Sequence, residues 1–349
     1  MDIHFHYYAI RALAHCAGFD GKEAEIIAYA SQYVDDATEH GGFKIKGIPP
    51  EADDQHIAGL FEPVCTAHAG LQYVVGLRTD VQRKVYIPFH FLPPELSRSS
   101  RRKFDYRVKA GSPHAHALLD EAIAAVKGAT SGTPRIRALI KTGIALHTFA
   151  DTWAHEGFSG RWSAADNDIQ DRSVFRSGQW DDLGFFERMF MDASPDIGHI
   201  EAGVLPDCSE LTWRCRHEGT SKAVARNNTD HFTKAAAAIL TALSGKKPNP
   251  VCLDKVRKCL GDRGKASSRK LWKQQFPRVF DAVDYDRLRW RREALAGSKA
   301  SDLDWMGKDE HYFAGLSCKA RGDLKWFLFH VEAGIQRDNV LRRVPLDLS

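Results

Sequence analysis

The sequence predicts an all-α protein, a multi-helix bundle with long loops and little β-structure. Six segments place apolar residues at helical spacing, and several start at a capping residue and stop at a glycine. Extended character is confined to 84–92 (KVYIPFHFL), where Pro88 limits the segment to an edge strand or a loop. The 349-residue chain is 43% hydrophobic and 27% charged, which excludes a disordered or collagen-like protein.

The predicted helices rest on local start and stop signals. Asp20 precedes the second helix and Glu23 stands three positions later, as in a capping box. Proline occupies the first turn of the third and fourth helices, after Ser112 and Thr133. The six helices are expected at 4–17, 22–37, 113–126, 134–157, 230–244 and 320–341. The long connections between them lie at 39–70 and 158–228.

A Lys- and Pro-rich stretch at 246–250 (KKPNP) is the best candidate for a domain boundary. It divides the chain into a helical domain, 1–245, and a basic helical C-terminal region, 246–349, which we expect to pack on that domain. No apolar run approaches the roughly 18 residues needed to cross a bilayer, so the sequence predicts no transmembrane segment.

Basic charge is concentrated in one part of the C-terminal region. Between residues 255 and 292 there are thirteen Lys and Arg against four Asp, a net charge of +9, which leaves −5 for the rest of the chain. One interpretation is a surface that contacts anionic partners such as phosphate, anionic lipid or nucleic acid. The other is a solvated helix face with its aromatic residues in the core. Those interleaved aromatic residues are Trp272, Phe276, Phe280 and Trp290.

The N-terminus and the cysteines favour a cytoplasmic protein. The first residues (MDIHFHYYAI) show no basic start, apolar stretch or cleavage site of a signal peptide. Secretion that does not depend on a signal peptide stays an open alternative. Seven cysteines without C-x-x-C spacing are expected to be free thiols in a reducing compartment.

The strongest chemical pattern is the spacing of His147, Asp151 and His155 on the fourth helix. Steps of four residues turn a helix by only about 40°, so the three side chains form one stripe. Ile140 and Ile144 lie on the same stripe, so this is the core-facing side. A buried carboxylate needs partners, and a divalent cation would satisfy all three groups. A hydrogen-bonded His–Asp–His network and a helix end that reaches solvent are the alternatives.

Other segments also carry His or Asp in apolar surroundings. His6 shares a helix stripe with Ile10 and Leu13, and Asp35 follows the small-residue face of the second helix. Asp36 lies on the polar side of that helix, so Asp35 is favoured over it as the inward carboxylate. The remaining candidates are Asp2 and His4 near His6, His68 in CTAHAG, His90 in IPFHFLPP, and His199 with Glu201 and Asp207 in reach.

These segments together resemble the superfamily of zinc-dependent phospholipase C and the fungal-type single-strand nucleases. The stretch around His6 (FHYYAIRALA) is similar to their early histidine helix, and His147 with Asp151 is similar to their central H-x-x-x-D. Asp35 and then His68 match an aspartate followed by a further histidine. More closely, the block LHTFADTWAHEGFSG resembles an uncharacterised bacterial family. The resemblance covers residues 1–210.

The resemblance implies an all-α fold with two or three zinc ions in a cleft. It implies that Asp151 bridges two ions, and that His6 binds one of them. The ligands of the other ion would be His147, Asp35 and His68, and those of the third would include His155 and His199.

The chain departs from the superfamily in three respects. The second histidine of the central helix follows the aspartate by six residues in the relatives, whereas His155 follows Asp151 by four. The relatives bind zinc through the free amine of an N-terminal tryptophan, whereas this chain begins Met-Asp. Asp2 or His4 would then substitute, or that ion would be absent. Gly203 stands where the relatives have an acidic residue, so Asp207 or Glu201 would supply the late carboxylate.

We therefore expect a zinc-dependent phosphodiester hydrolase of the phospholipase C type. Clustered zinc ions lower the pKa of a bound water toward about 7 and clamp the oxygens of a phosphate, and Asp35 would serve as the general base. The substrate would be a phosphoester, either a phospholipid or a nucleic acid. The alternatives are a nuclease that uses the same metal site, with nucleic acid as the substrate, and a non-catalytic, metal-stabilised helical protein such as a toxin or interaction module.

Overall fold

The computed structural model describes residues 1–57, 59–68, 78–95, 104–184, 196–221, 223–262, 265–280, 284–296, 311–312 and 317–344. The helices are α1 (π-helical His4–Ala9, continued by Ile10–Ala17), α2 (Gly21–Asp36), α3 (Thr79–Val81, continued by the π-helical Gln82–His90), α4 (Pro113–Gly128), α5 (Gly132–Ala154), α6 (Ala164–Asn167), α7 (Asn228–Ser244), α8 (Pro250–Leu260), α9 (Lys265–Gln275), α10 (Arg289–Ala294) and α11 (Lys325–Arg343). Short 3-10 turns lie at Pro50–Gln55 and Ile200–Ala202.

All six predicted helices are present, as α1, α2, α4, α5, α7 and α11. Two of the three expected caps form: the Asp20 side chain accepts hydrogen bonds from the backbone N–H groups at positions 22 and 23, and Ser112 accepts one from Ala115. The expectation for Thr133 is wrong, because α5 already begins at Gly132 and has no side-chain cap. Helix α1 ends at Gly18, whose φ of 105° suits glycine.

The prediction of an all-α fold with little β-structure is wrong, because the chain forms a mixed α and β structure. The strands are β1 (Glu39–His40), β2 (Lys44–Lys46), β3 (His56–Ile57), β4 (Leu60–Phe61), β5 (Ile169–Arg176), β6 (Gln179–Asp182), β7 (Thr212–His217), β8 (Val224–Asn227), β9 (Leu295–Ala296), β10 (His311–Tyr312) and β11 (Ser317–Ala320). Strands β6-β5-β7-β8 form an antiparallel four-stranded sheet, β2-β11-β9 a three-stranded one, and β1-β10 and β3-β4 form pairs.

The four-stranded sheet lies within 158–228, which the sequence predicts to be a connection. Strand β5 shows no regular alternation of buried and exposed residues, because its pairing with β7 shifts register between Gln170 and Ser173. The hairpin from β5 to β6 turns at Ser177 and Gly178, both with positive φ (50° and 87°). A Ser-Gly pair of this kind fits a two-residue hairpin turn, and it is the local signal of the sheet.

Most of the segment 84–92 is helical rather than an edge strand or a loop. The residues from Gln82 to His90 form π-helical turns that include Pro88, and the side chains from Val85 to His90 are buried. A helix that is apolar on every side has no 3.6-residue pattern, which explains why periodicity does not reveal it. The wider turn also places His90 at the end of the helix.

Helix α5 runs through the centre of the fold and contacts α2, α4, α7, α11 and the π-helical part of α3. Helices α2 and α5 approach closely at Gly143, where a Cβ atom added to the glycine would lie 2.3 Å from the carbonyl oxygen of Ile27. Any larger residue at position 143 would force the two helices apart. This contact brings the C-terminal end of α2 to the stripe of α5 predicted to carry His147 and Asp151.

The C-terminal region shares the main buried core with the rest of the chain. The Trp290 ring stacks on Tyr29 of α2 with centroids 4.1 Å apart, and Trp272 stacks on Tyr8 of α1 at 6.1 Å. Trp272, Phe276, Phe280 and Trp290 are all buried, as in the interpretation that places them in the core. Where the structure describes the side chains of segment 255–292, the exposed cations are Arg257, Lys258, Arg269, Lys270, Lys273, Arg278, Arg287 and Arg292.

The prediction that the cysteines are free thiols is wrong for two of the seven. Cys16 at the end of α1 and Cys252 in α8 form a disulfide, which joins the predicted C-terminal region to the first helix. Cys65, Cys208, Cys215, Cys259 and Cys318 are thiols. In the described ranges, no helix combines the length and the apolar character that crossing a membrane would require.

Candidate metal centre

Three groups of His and Asp side chains converge around helix α5, and in each group the donor atoms lie within 4.8 Å of one another. We call them the first cluster (Asp35, His90 and His147), the second cluster (His6, His147 and Asp151) and the third cluster (His155, His199 and Asp207). His147 belongs to two clusters, and Asp151 Oδ2 lies 3.7 Å from Nδ1 of His155 in the third. The clusters therefore form one continuous centre.

Helix α5 supplies one stripe of this centre. His147 and Asp151 lie in its last two turns and His155 caps its C-terminus, and these side chains are 0%, 1% and 4% exposed. The four-residue spacing aims all three into the interior, as helix geometry requires. The partners that such buried groups need come from α1, α2, α3 and the segment 196–221.

The first cluster has four donor atoms once Asp151 is included. His90 Nδ1 lies 3.2 Å from His147 Nε2, and Asp35 Oδ1 lies 3.9 Å and 3.6 Å from those two nitrogens. Oδ2 of Asp151 lies 3.1 Å and 3.2 Å from the same nitrogens. Asp35 stands in the last turn of α2 and His90 at the end of α3, so three helices meet here.

The second cluster uses the other oxygen of Asp151. Its Oδ1 atom lies 3.0 Å from His6 Nε2, and the His6 ring stacks on His147 with centroids 3.9 Å apart. The Met1 ammonium donates to the same Oδ1 at 2.6 Å and lies 3.1 Å from Asp207 Oδ1. Burial lowers the pKa of this amine, but the charges of Asp151 and Asp207 outweigh burial and raise the pKa to about 11.

The third cluster is built on Asp207, whose two oxygens face different histidines. Oδ1 lies 3.1 Å from His155 Nε2, and Oδ2 lies 3.3 Å from His199 Nε2. The intervening chain turns at Gly203, with φ 55° and ψ −127°, a conformation that residues with side chains rarely adopt. The turn explains why position 203 is glycine, and why the carboxylate comes from Asp207 instead.

Backbone carbonyls fix the orientation of four histidines of the centre. Nδ1 of His147 lies 2.8 Å from the Ser31 carbonyl, and Nδ1 of His155 lies 2.8 Å from that of His90. The other ring nitrogens of His90 and His199 meet carbonyls at 2.8 Å and 3.1 Å. A ring that donates one N–H to a carbonyl presents a lone pair on its other nitrogen, the arrangement found in metal-binding histidines.

Burial and nearby charges set the protonation of the centre. Burial lowers the pKa of His147 and of His199 to about 4, so both rings are neutral at pH 7. Burial alone would raise the pKa of Asp151, but the Met1 ammonium and the surrounding histidines hold it well below its usual range. Burial, with the charge of Asp151 nearby, raises the pKa of Asp35 well above its usual range. A dication among these groups would relieve the repulsion between the two carboxylates.

The donor set fits zinc. Zinc binds imidazole nitrogen and carboxylate oxygen at about 2.0–2.2 Å, so two ligands of a tetrahedral ion stand about 3.3 Å apart. The corresponding distances in the first cluster run from 3.1 to 3.9 Å. The second cluster offers His6, Asp151 and, when deprotonated, the Met1 amine, and the third offers His155, His199 and Asp207.

Five residues named by the sequence lie outside the three clusters. His68 is half-buried, with its Nε2 atom 3.9 Å from Cys65 Sγ, and His90 stands in the place predicted for His68. The Asp2 side chain accepts a hydrogen bond from the His4 N–H, and the His4 ring stacks on Tyr8. Asp36 accepts a hydrogen bond from Tyr285, and Glu201 accepts one from the Ile169 N–H.

The sequence does not reveal the Met1 amine as a donor, and it gives too little weight to His90. It favours Asp2 and His4 over the Met1 amine, because a backbone terminus has no residue pattern. It singles out His90 for its apolar surroundings, but it does not predict the helix that carries this residue. The signal in the sequence is the histidine at the end of a wholly apolar run (VYIPFH).

Comparison with curated proteins and with solved structures finds no match. A family model does match, over residues 1–344 of the chain, and therefore spans both the centre and the C-terminal region. The chain belongs to that family, which is described as a family of unknown function (DUF6765).

Proposed function

We propose that the protein is a zinc-dependent phosphodiester hydrolase that resembles phospholipase C. The observation that carries the proposal is the convergence of three donor clusters on Asp151, which serves two of them through its two oxygens. A hydrogen-bonded His–Asp network alone would not favour placing Asp35 beside Asp151, because two buried carboxylates side by side repel each other. Adjacent cation sites are typical of enzymes that hydrolyse phosphate esters.

The first cation would be held by Asp35, His90, His147 and Asp151, the second by His6, Asp151 and the Met1 amine, and the third by His155, His199 and Asp207. Bound dications would stabilise negative charge on a phosphoryl group and lower the pKa of water. Asp35 is the most open of the carboxylates, with 32% of its side chain exposed against 24% for Asp207 and 1% for Asp151. We propose that its carboxylate takes the proton from the attacking water.

Metal content and hydrolysis, measured on the same variants, test this proposal. In His147→Gln both the zinc content of the purified chain and the hydrolysis of bis-p-nitrophenyl phosphate should fall. His114→Gln is the matched control, because His114 is also 0% exposed and bonds a backbone carbonyl, yet lies outside the clusters. Full zinc content and full activity in His147→Gln would refute the proposal. Zinc without hydrolysis in the unmodified chain would favour the non-catalytic alternative.

Two observations favour a phospholipid over a nucleic acid as the substrate. Trp272, Phe276, Phe280 and Trp290 of segment 255–292 are buried and are not available to stack on bases. Trp162 and Val204, by contrast, are 56% and 63% exposed beside the third cluster. Trp162 pairs with Ile197, two residues before His199, and Val204 lies three residues before Asp207. Tryptophan is enriched where proteins meet the membrane–water interface.

A vesicle assay separates the two substrates. Trp162→Ala with Val204→Ser should reduce hydrolysis of phosphatidylcholine vesicles while leaving a small soluble diester unaffected. Val251→Ser is the control, because Val251 is 62% exposed but lies on α8. Equal hydrolysis of vesicles by the variant and the unmodified chain would remove the argument for lipid.

The nuclease alternative keeps one observation in its favour, the exposed cations of segment 255–292. These cations could follow a phosphate backbone without base stacking, or contact an anionic membrane. Hydrolysis of single-stranded DNA or RNA that falls steeply with added salt would support the nuclease and contradict the lipid substrate.

A further inference from the structure

We propose that the C-terminal region positions Asp35 in the first cluster, through a chain of hydrogen bonds from Tyr285 to Asp36 to Gln32. This inference rests on the proposed function, because it treats the first cluster as a cation site. It gives the C-terminal region, which lies outside the resemblance to phospholipase C, a role in the centre.

The link nearest to the cluster is the Gln32 amide. Its Nε2 atom lies 3.4 Å from Asp35 Oδ2 and 3.2 Å from Asp36 Oδ2. An amide nitrogen carries two N–H donors, so it can serve both carboxylates at once. Oδ1 of Asp35 is the oxygen that faces His90 and His147. Gln32 therefore holds one oxygen of Asp35 while the other points into the cluster.

The outer link comes from the C-terminal region. The Tyr285 hydroxyl donates to Asp36 Oδ2 at 2.7 Å, the same oxygen that the Gln32 amide approaches. Asp36 is thus held from two sides and keeps the Gln32 amide turned toward Asp35. Gln32 is 6% exposed, so water has little access to replace these bonds.

The segment that carries Tyr285 is fixed along one face of α2. The Tyr29 hydroxyl donates to the Asp286 carbonyl at 2.8 Å, and Arg289 forms an ion pair with Glu25. The opposite face of α2 packs on α5 at Gly143. Asp35 therefore lies at the end of a helix that the C-terminal region holds against the centre. Tyr285 contacts the last turn of this helix.

Conservative variants isolate the hydrogen bonds from the packing. Tyr285→Phe keeps the ring, whose centroid lies 5.1 Å from that of Tyr7, and removes only the hydroxyl. Gln32→Leu keeps the side-chain size and removes the amide. Both changes should weaken binding of Co2+ at the first cluster, Gln32→Leu by about 10- to 100-fold, as for other groups that orient metal ligands. The first cluster is identified as the site whose Co2+ absorption band disappears in His90→Ala.

The Co2+ affinity of the double variant shows whether Tyr285 acts through Gln32 or independently of it. If Tyr285 acts through Gln32, adding Tyr285→Phe to Gln32→Leu should cause no further loss of Co2+ affinity. The matched control is Tyr33→Phe, which removes another buried hydroxyl of α2, bonded to Glu39 instead. This control should change thermal stability but leave Co2+ affinity at the first cluster unchanged.

Two results would overturn the inference: unchanged Co2+ affinity in both single variants, or losses that add in the double variant. Either result would leave the proposed function intact, because the unmodified chain would still bind the ion. Absence of Co2+ and Zn2+ binding by the unmodified chain would instead refute the proposed function itself.

Discussion

The assignment of His90, rather than His68, as a ligand of the first cluster gives the most specific prediction. His90 Nδ1 lies 3.2 Å from His147 Nε2 and 3.1 Å from Asp151 Oδ2, whereas His68 lies outside all three clusters. His90→Ala should therefore remove one donor of four from the first cluster. Its backbone carbonyl, which bonds His155, stays in place, so the third cluster should be unaffected.

The expected loss follows from the number of donors. A zinc site with four protein ligands binds with about 10–16 kcal/mol, so each donor contributes about 2.5–4 kcal/mol. At about 1.4 kcal/mol for each factor of ten, His90→Ala should weaken zinc binding at the first cluster by about 10²- to 10³-fold. Hydrolysis should fall with it, whereas His68→Ala should keep both properties.

Isothermal titration with zinc, after treatment with a chelator, measures this loss. Three ions should bind to the unmodified chain and to His68→Ala, and the tightest sites of His90→Ala should number two. Loss of an ion from His68→Ala but not from His90→Ala would contradict the assignment of His90 as a ligand. That outcome would restore the ligand set implied by the resemblance.

Three further predictions concern Asp151, the Met1 amine and pH. Asp151→Asn should lose two ions in native mass spectrometry, because its two oxygens face different clusters; loss of a single ion would contradict the bridging position. In a chain that begins at Met1, a Gly-Ser extension should remove the ion of the second cluster alone, because the buried amine becomes an amide; three bound ions would contradict this. Burial lowers the pKa of His114 and His330 to about 4 in the folded chain, whereas a histidine in the unfolded chain has a pKa of about 6.5. Between pH 4 and 6.5 the unfolded chain therefore binds more protons than the folded chain. The Tm of the metal-free chain should therefore fall as pH falls from 6.5 to 4, and His114→Gln should flatten that slope in calorimetry; an unchanged slope would contradict the assignment.

The helices and the central stripe could be predicted because their causes are local. Capping at Asp20 and Ser112 fixes helix starts within three residues of the cap, and the four-residue spacing of His147 and Asp151 fixes a common face. The small-residue face of α2 likewise favours Asp35 over Asp36, and the structure brings Asp35 into the first cluster.

What the sequence does not predict depends on contacts between distant segments. Strand β5 pairs with β7, about forty residues later, and its bulge removes the alternation that would mark a strand. His90 is presented by a π-helical turn, a form that periodicity does not detect. The Met1 amine acquires its position from two carboxylates that are distant in the sequence, Asp151 and Asp207.

The composition of segment 255–292 is compatible with two interpretations. Its cations and aromatic residues are equally consistent with a nucleic-acid surface and with a helix face over a core. Packing accounts for the aromatic residues, because Trp272 and Trp290 are 0% exposed against Tyr8 and Tyr29. Several cations in the described part of the segment are exposed, so charge is what they offer to a partner.

Anomalous diffraction at the zinc edge, on crystals of the chain grown without chelator, shows directly whether the three clusters hold zinc. We predict three peaks, one in each cluster, with the first two on either side of the Asp151 carboxylate. Crystals of a chain supplied with zinc that show the histidines of the clusters bonded only to protein or water, with no anomalous peak among them, would contradict it.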